Sequence, residues 1–178
     1  MHLDILRFWF EDTEPASWWS ARPEFDALVR QRFSGLLEAA ARGECFGWRG
    51  DAQGRLAEII VLDQFSRNIH RGTPAAFAQD PMALALAQEA VAQGCHHALD
   101  PVRRGFLFLP FMHSESRLIH ETAEALYRAF GAANNLDFEL RHKAIIDRFG
   151  RYPHRNEILG RASTDEEIAF LRQPGSRF

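Results

Sequence analysis

Apolar residues in this chain recur at intervals of three and four, in runs bracketed by proline at the start and glycine at the stop. Between Pro23 and Gly43 the series Phe25, Leu28, Val29, Phe33, Leu36, Leu37 and Ala40 marks one face of a long helix. From Arg55 the residues Leu56, Ile59, Ile60, Leu62 and Phe65 start another helix, which the spacing predicts to end near "NIHRGTP". Asp80 with Pro81 reads as an N-cap and first turn, closed by Gly94, and Asp100 with Pro101 repeats the device. Pro110 predicts a kink or boundary in the helix that follows.

Two more helices are expected in "SESRLIHETAEALYRAFG", with Leu118, Ala125, Leu126 and Phe130 inward, and in "LDFELRHKAIIDRFG", with Phe138, Ile145, Ile146 and Phe149 inward. Ser163 with Glu166, or Thr164 with Glu167, forms a capping box before "EEIAFLRQ". At the other end "LDILRFWF" reads as a short apolar helix, anchored by Trp9, Trp18 and Trp19. No segment alternates with a period of two, so the fold class is all-α, antiparallel helices with short connections.

A chain of 178 residues, 46% hydrophobic and 25% charged, suits a single domain over residues 1–178. A net charge of −3 provides no basic field for a nucleic-acid backbone. The apolar window "GFLFLPFM" is far shorter than the ~20 residues of a membrane span, so no membrane partner is expected. Cys45 and Cys95 match no metal spacing and read as reduced thiols in a cytoplasmic protein, and the N-terminus has no signal-peptide pattern.

Three polar runs interrupt the apolar helices. In "LDQFSRNIHRGT", Asp63, Arg67 and Arg71 succeed one another at four-residue spacing beside a second row, Gln64 and Asn68. In "LPFMHSES", His113 could share a helical face with His120 and Glu124, a metal-ligand pattern only if a helix starts at His113. The set is not H-E-x-x-H, and a solvated or capping role is preferred, so no metal or other cofactor is expected. In "RFGRYPHRN", Gly150 ends a helix and Pro153 stiffens the turn, displaying Arg151, His154, Arg155 and Asn156 on a fixed loop suited to a carboxylate or phosphate. Arg148 is expected to face the preceding helix and pair near Asp147 or Asp63.

The segments "LDQFSRNIHRGTPAAFAQDP", "RRGFLFLPFMHSES" and "RFGRYPHRNEILGRASTDEEIAFL", with the "FWF" start, resemble a bacterial family of uncharacterised proteins, domain-of-unknown-function family nine-two-four, over nearly the whole chain. The resemblance implies a tetratricopeptide-like all-α fold and no established reaction. Ser66 stands where members usually have proline, which predicts a straighter helix around Arg67. "SRLIHE" after Glu115 also departs from the family pattern and makes His120 a local feature.

Together these readings predict one pocket for a small anionic molecule or a peptide carboxylate. Arg67, Arg71, Arg151 and Arg155 supply charge, Asn68, His113, His154 and Asn156 orient the ligand, and Asp63, Gln64 and Glu115 support them. Two alternatives stand beside it: a hydrolase using His113 and Glu115 as acid and base, and a scaffold whose helical surface binds a partner protein.

Overall fold

The computed structural model describes residues 1–132 and 134–176. Among these the regular structure is helical and no strand is present. The helices are α1 (His2–Arg7), α2 (Pro15–Trp18), α3 (Pro23–Ala41), α4 (Ala52–Ile60), α5 (Ser66–Ile69), α6 (Asp80–Ala92), α7 (Pro101–Met112), α8 (Arg117–Phe130), α9 (Asn135–Phe149) and α10 (Asp165–Phe170).

The middle of the molecule is the rod formed by α4 and α5, joined by a π-helical turn over Val61–Phe65. Every residue from Leu56 to Ser66 is buried, because α1, α6 and α7 pack against α4 while α3 packs against the turn and α5. A helix buried on all sides must be apolar all round, and "LAEIIVLDQFS" departs from that only at Glu58, Asp63, Gln64 and Ser66. Glu58 is neutralised by a two-pronged bond from Arg49. Ser66 directly follows the π-helical turn, so the helix widens just ahead of Arg67 where a straighter one was expected.

Helices α6 to α9 then pack as sequence neighbours. The core centres on Trp9, Phe65, Phe108 and Tyr127, and a smaller apolar group forms around Ile145, Ile146 and Tyr152. Of the tryptophans expected to anchor the N-terminus, Trp9 is fully buried and Trp18 donates to its carbonyl, whereas Trp19 is 67% exposed and stacks on Phe106.

Helix α7 runs through Pro110 to Met112 instead of stopping there. His113 caps its C-terminus, so α8 does not start at His113. The inward stripes of the last two long helices also differ from the expected ones. Leu118 (69% exposed) and Phe138 (51%) face out, as does Ala125, while the buried residues are His120, Ala123 and Tyr127 of α8 and Glu139, His142, Ile145 and Ile146 of α9. One polar pair bridges these stripes, His120 Nδ1 lying 2.7 Å from Glu139 Oε1 with both side chains fully buried, while His142 Nδ1 bonds the Phe138 carbonyl of its own helix. The capping box before α10 uses Thr164 and Glu167.

Gly54 in the first turn of α4 lies beneath the turn Phe46–Trp48, and a Cβ there would sit 1.9 Å from the Trp48 carbonyl oxygen. Gly54→Ala is therefore expected to cost about 1–3 kcal/mol of stability. Gly35, exposed in the interior of α3 with open space at its Cβ position, is the control. Gly35→Ala should stabilise by about 0.5–1 kcal/mol. Urea denaturation of the two variants checks both signs.

Candidate functional site

Helix α7 is buried from Gly105 to Met112, so it ends inside the protein and its last carbonyls cannot rely on water. The carbonyls of its last residue and of the two residues that follow are each taken by a side chain from later in the chain. Tyr152 Oη donates to Met112 O (2.5 Å), Arg155 Nη2 to His113 O (3.0 Å) and His120 Nε2 to Ser114 O (2.8 Å). Glu115, next in line, accepts the Tyr152 N–H at 2.7 Å and a two-pronged bond from Arg161 at 2.6 and 2.9 Å. The stretch around "RYPHR" thereby clasps residues 112–115 and fixes the direction of His113.

The His113 ring meets the central rod. Its Nδ1 lies 2.7 Å from Oδ1 of Asp63, which is 1% exposed. The other Asp63 oxygen accepts from Gln64 Nε2 at 2.6 Å. Arg67 approaches Asp63 Oδ1 at 3.1 Å and makes two bonds to Asp80, at 2.9 and 3.0 Å. Arg155 reaches the same Asp80 at 3.1 Å, its guanidinium lying between the rings of Phe77 and Tyr152. Asp80 starts α6 but caps no backbone N–H; its carboxylate bridges two arginines instead.

Burial opposes the Asp63 charge, but Arg67 and His113 outweigh it and hold the carboxyl well below its usual range. Burial and the neighbouring Arg67 cation push His113 below the ordinary histidine value, against the pull of Asp63. The ring is therefore neutral at neutral pH. Because ionised Asp63 can only accept, Nδ1 carries the hydrogen, and Nε2 is the ring nitrogen left for whatever His113 faces.

It faces a cleft of about 370 Å³. Its apolar lining comes from Phe77, Pro81, Leu84, Pro110 and Leu159, and its polar lining from Asp80, His113, Ser114, Glu115 and Arg155. The three polar runs thus meet through Asp63 and Arg67, through His113 and Glu115, and through Arg155.

The remaining candidates lie elsewhere. Asn68 and Arg71 both bind Asp26 of α3, at 2.8 and 2.9 Å, because α5 ends at Ile69 and the four-residue row through Arg71 is broken. Arg151 makes a two-pronged bond to buried Glu167, at 2.7 and 2.9 Å. Asn156 is buried, and its amide nitrogen donates to Ser163 and Glu167. These two fasten the start of α10 and line no part of the cleft. His154 sets its ring 5.5 Å from that of Tyr152. Arg148 pairs with Glu166 at the surface rather than with Asp147 or Asp63. Glu115, paired with Arg161, is not the carboxylate on His113; that is Asp63.

His113, His120 and Glu124 do not converge: His120 is held by Glu139, and Glu124 pairs with Arg128. Among the described residues no group of three or more His, Cys, Asp or Glu could hold a metal ion. Asp80, Tyr152 and Arg161 escaped the sequence reading. Asp80 looked like a cap, and the other two gain their roles through contacts 37 to 46 residues away in sequence.

The description "Bacterial protein of unknown function (DUF924)" belongs to a family model that matches residues 5–175. A solved structure of a protein of unknown function from Agrobacterium tumefaciens is 38% identical, with a TM-score of 0.91 and 96% of each chain covered. No curated protein matches the chain.

Two outcomes are expected. Burial holds His142 down to about 3, and lowers His113 and His96 as well. A histidine depressed in the native state leaves the unfolded chain to bind protons first, so stability is full above about pH 6.5 and falls as the pH drops toward 3. Glu139, raised by burial, acts in the opposite sense but is one group against three. Urea midpoints between pH 7.5 and 4 should decline accordingly. Separately, Arg151→Ala removes the bond that holds Glu167 down to about 2. It should lower the midpoint in the same assay without altering the cleft.

Proposed function

This chain belongs to the bacterial protein family of unknown function DUF924, and from that premise we propose that the cleft beside the end of α7 is a small-molecule site in which His113 moves a proton. One observation carries the reading: His113 Nδ1 is locked on a buried, ionised Asp63 while the ring forms part of the cleft wall. A carboxylate in that position fixes the tautomer, orients the ring and stabilises the imidazolium formed when Nε2 accepts a proton. His113 is then the general base, by abstraction from the ligand or from a water that attacks it. Asp63 is the orienting group, and Glu115, expected to serve His113 as its acid/base partner, is bound to Arg161 instead. Arg155 holds a carbonyl or carboxylate of the ligand.

The residue types present suit hydrolysis of a small ester or amide, or proton removal beside a carbonyl. Binding of a small anion without chemistry is the second reading, favoured by Arg155, two of whose five N–H groups have acceptors in Asp80 and the His113 carbonyl. Both readings take residues 1–178 as a single domain of tetratricopeptide-like helical hairpins working in the cytoplasm.

The test combines ring ¹⁵N NMR of His113 with a thermal-shift and turnover screen of small esters, amides and carboxylic acids. At neutral pH Nε2 should be unprotonated, and Asp63→Asn should disturb this tautomer. A ligand that is turned over should still raise the melting temperature of His113→Gln while its turnover falls about 10²- to 10⁴-fold. An Nε2 that carries the hydrogen in the wild type, or turnover indifferent to His113→Gln, would remove the general-base role.

A further inference from the structure

The charges around the cleft close on themselves. Arg67, Arg155 and Arg161 are matched by Asp63, Asp80 and Glu115, each bonded within the set, and His113 completes it as a neutral ring. Yet the donors do not close. Arg155, only 6% exposed, has an Nε–H with no acceptor among the described residues, and its two remaining Nη hydrogens are unspent on Asp80 or the His113 carbonyl. Buried donors left over in this way call for an acceptor. The place for one is the cleft, whose lining brings Arg155 and His113 together with Phe77, Leu84 and Pro110.

Resting on the reading of His113 as a proton-accepting ring, we infer that the ligand is a monocarboxylate with a compact apolar tail, and that it binds with uptake of a proton on His113. The carboxylate accepts from the Arg155 guanidinium, and the tail lies against the apolar lining residues. The volume, at the lower end of the ~300–1,000 Å³ typical of small-molecule pockets, limits the ligand to a short chain or single ring.

The proton follows from charge balance. A negative charge brought into a neutral, part-buried network needs a positive one, and the arginines are already fully charged. The groups acting on His113 are Asp63, Arg67 and Asp80, with Arg155 on its carbonyl and His142 nearby. Of these, Arg67 and burial keep the free ring neutral. An incoming carboxylate opposes Arg67 and lets Nε2 take up a proton, which then donates to the ligand. No other group of the cleft wall can gain positive charge near neutral pH. A neutral amide of the same shape gains nothing from this step.

The experiment uses the full chain and the straight-chain acids from propionate to octanoate, each paired with its amide. Melting temperature, calorimetry in phosphate and in Tris, and ring ¹⁵N shifts are recorded together. Acids should raise the melting temperature where amides do not. Their binding heat should differ between buffers by the uptake of nearly one proton per chain, and His113 should move to imidazolium shifts. Affinity should fall by about tenfold per pH unit once the pH exceeds the value for the bound ring. In His113→Gln, which keeps a donor for Asp63 but cannot be protonated, this pH dependence should vanish. Amides that bind as well as acids, acids that bind without buffer dependence, or no acid that binds at all would each overturn the inference. The ligand-free ring separates the two levels: Nε2 unprotonated in that sample leaves the proton-transfer reading standing, while Nε2 protonated removes both.

Discussion

A helix that ends in the interior must find donors for its last carbonyls, and in this protein that requirement organises the C-terminal third. Helix α7 is buried to its final residue, and the carbonyls of Met112, His113 and Ser114 are met by Tyr152, Arg155 and His120. Tyr152 and Arg155 lie 40 and 42 residues further along the chain, and His120 six. His120 comes from α8 and is steadied by Glu139 of α9; Tyr152 and Arg155 follow α9. His120 and Glu139 therefore take inner-face positions of α8 and α9, one meeting this helix end and the other holding it.

The second consequence is the charge network at the head of the cleft. Asp63 sits in the most deeply buried stretch of the molecule, where an unpaired carboxylate could not stay ionised. It is held by His113, Gln64 and Arg67; Arg67 is shared with Asp80, and Asp80 with Arg155. Such a network adds little net stability, since desolvation offsets much of the attraction, but it resists piecemeal change because removing one member strands another. Its value is geometric. The central rod, α6, the end of α7 and the segment after α9 are all referred to one point, and one imidazole is left with a defined tautomer beside open space.

The kinship with the Agrobacterium protein fixes the fold and leaves the chemistry open, since the same helical scaffold can carry unrelated sites. What separates a site from a structural clasp here is the difference between the two arginines of "RYPHR". Arg151 turns its Nε and Nη2 to Glu167 and the Ala162 carbonyl and lines no part of the cleft. Arg155, four residues on, is shared between a carboxylate and a carbonyl with hydrogens to spare, and it faces a cleft.

The sequence by itself determined the helices, because their periodicity, proline starts and glycine stops are local signals: α3, α4, α6 and α7 begin or end close to Pro23, Gly43, Arg55, Gly94 and Pro101, and Gly150 closes α9 in the left-handed conformation. It also marked the three polar runs that meet at the cleft. Only the tertiary structure decided which members of those runs point at one another. Asp63, Arg67, His113 and Arg155 converge, whereas Asn68 and Arg71 turn to Asp26, and Arg151 and Asn156 to Glu167. Asp80 has the local pattern of a helix cap and the tertiary role of a bridge. The physical reason is that a side chain's nearest neighbours along the chain set its backbone conformation, while the partner of a buried charge is chosen by whichever group the packed helices bring within about 3 Å.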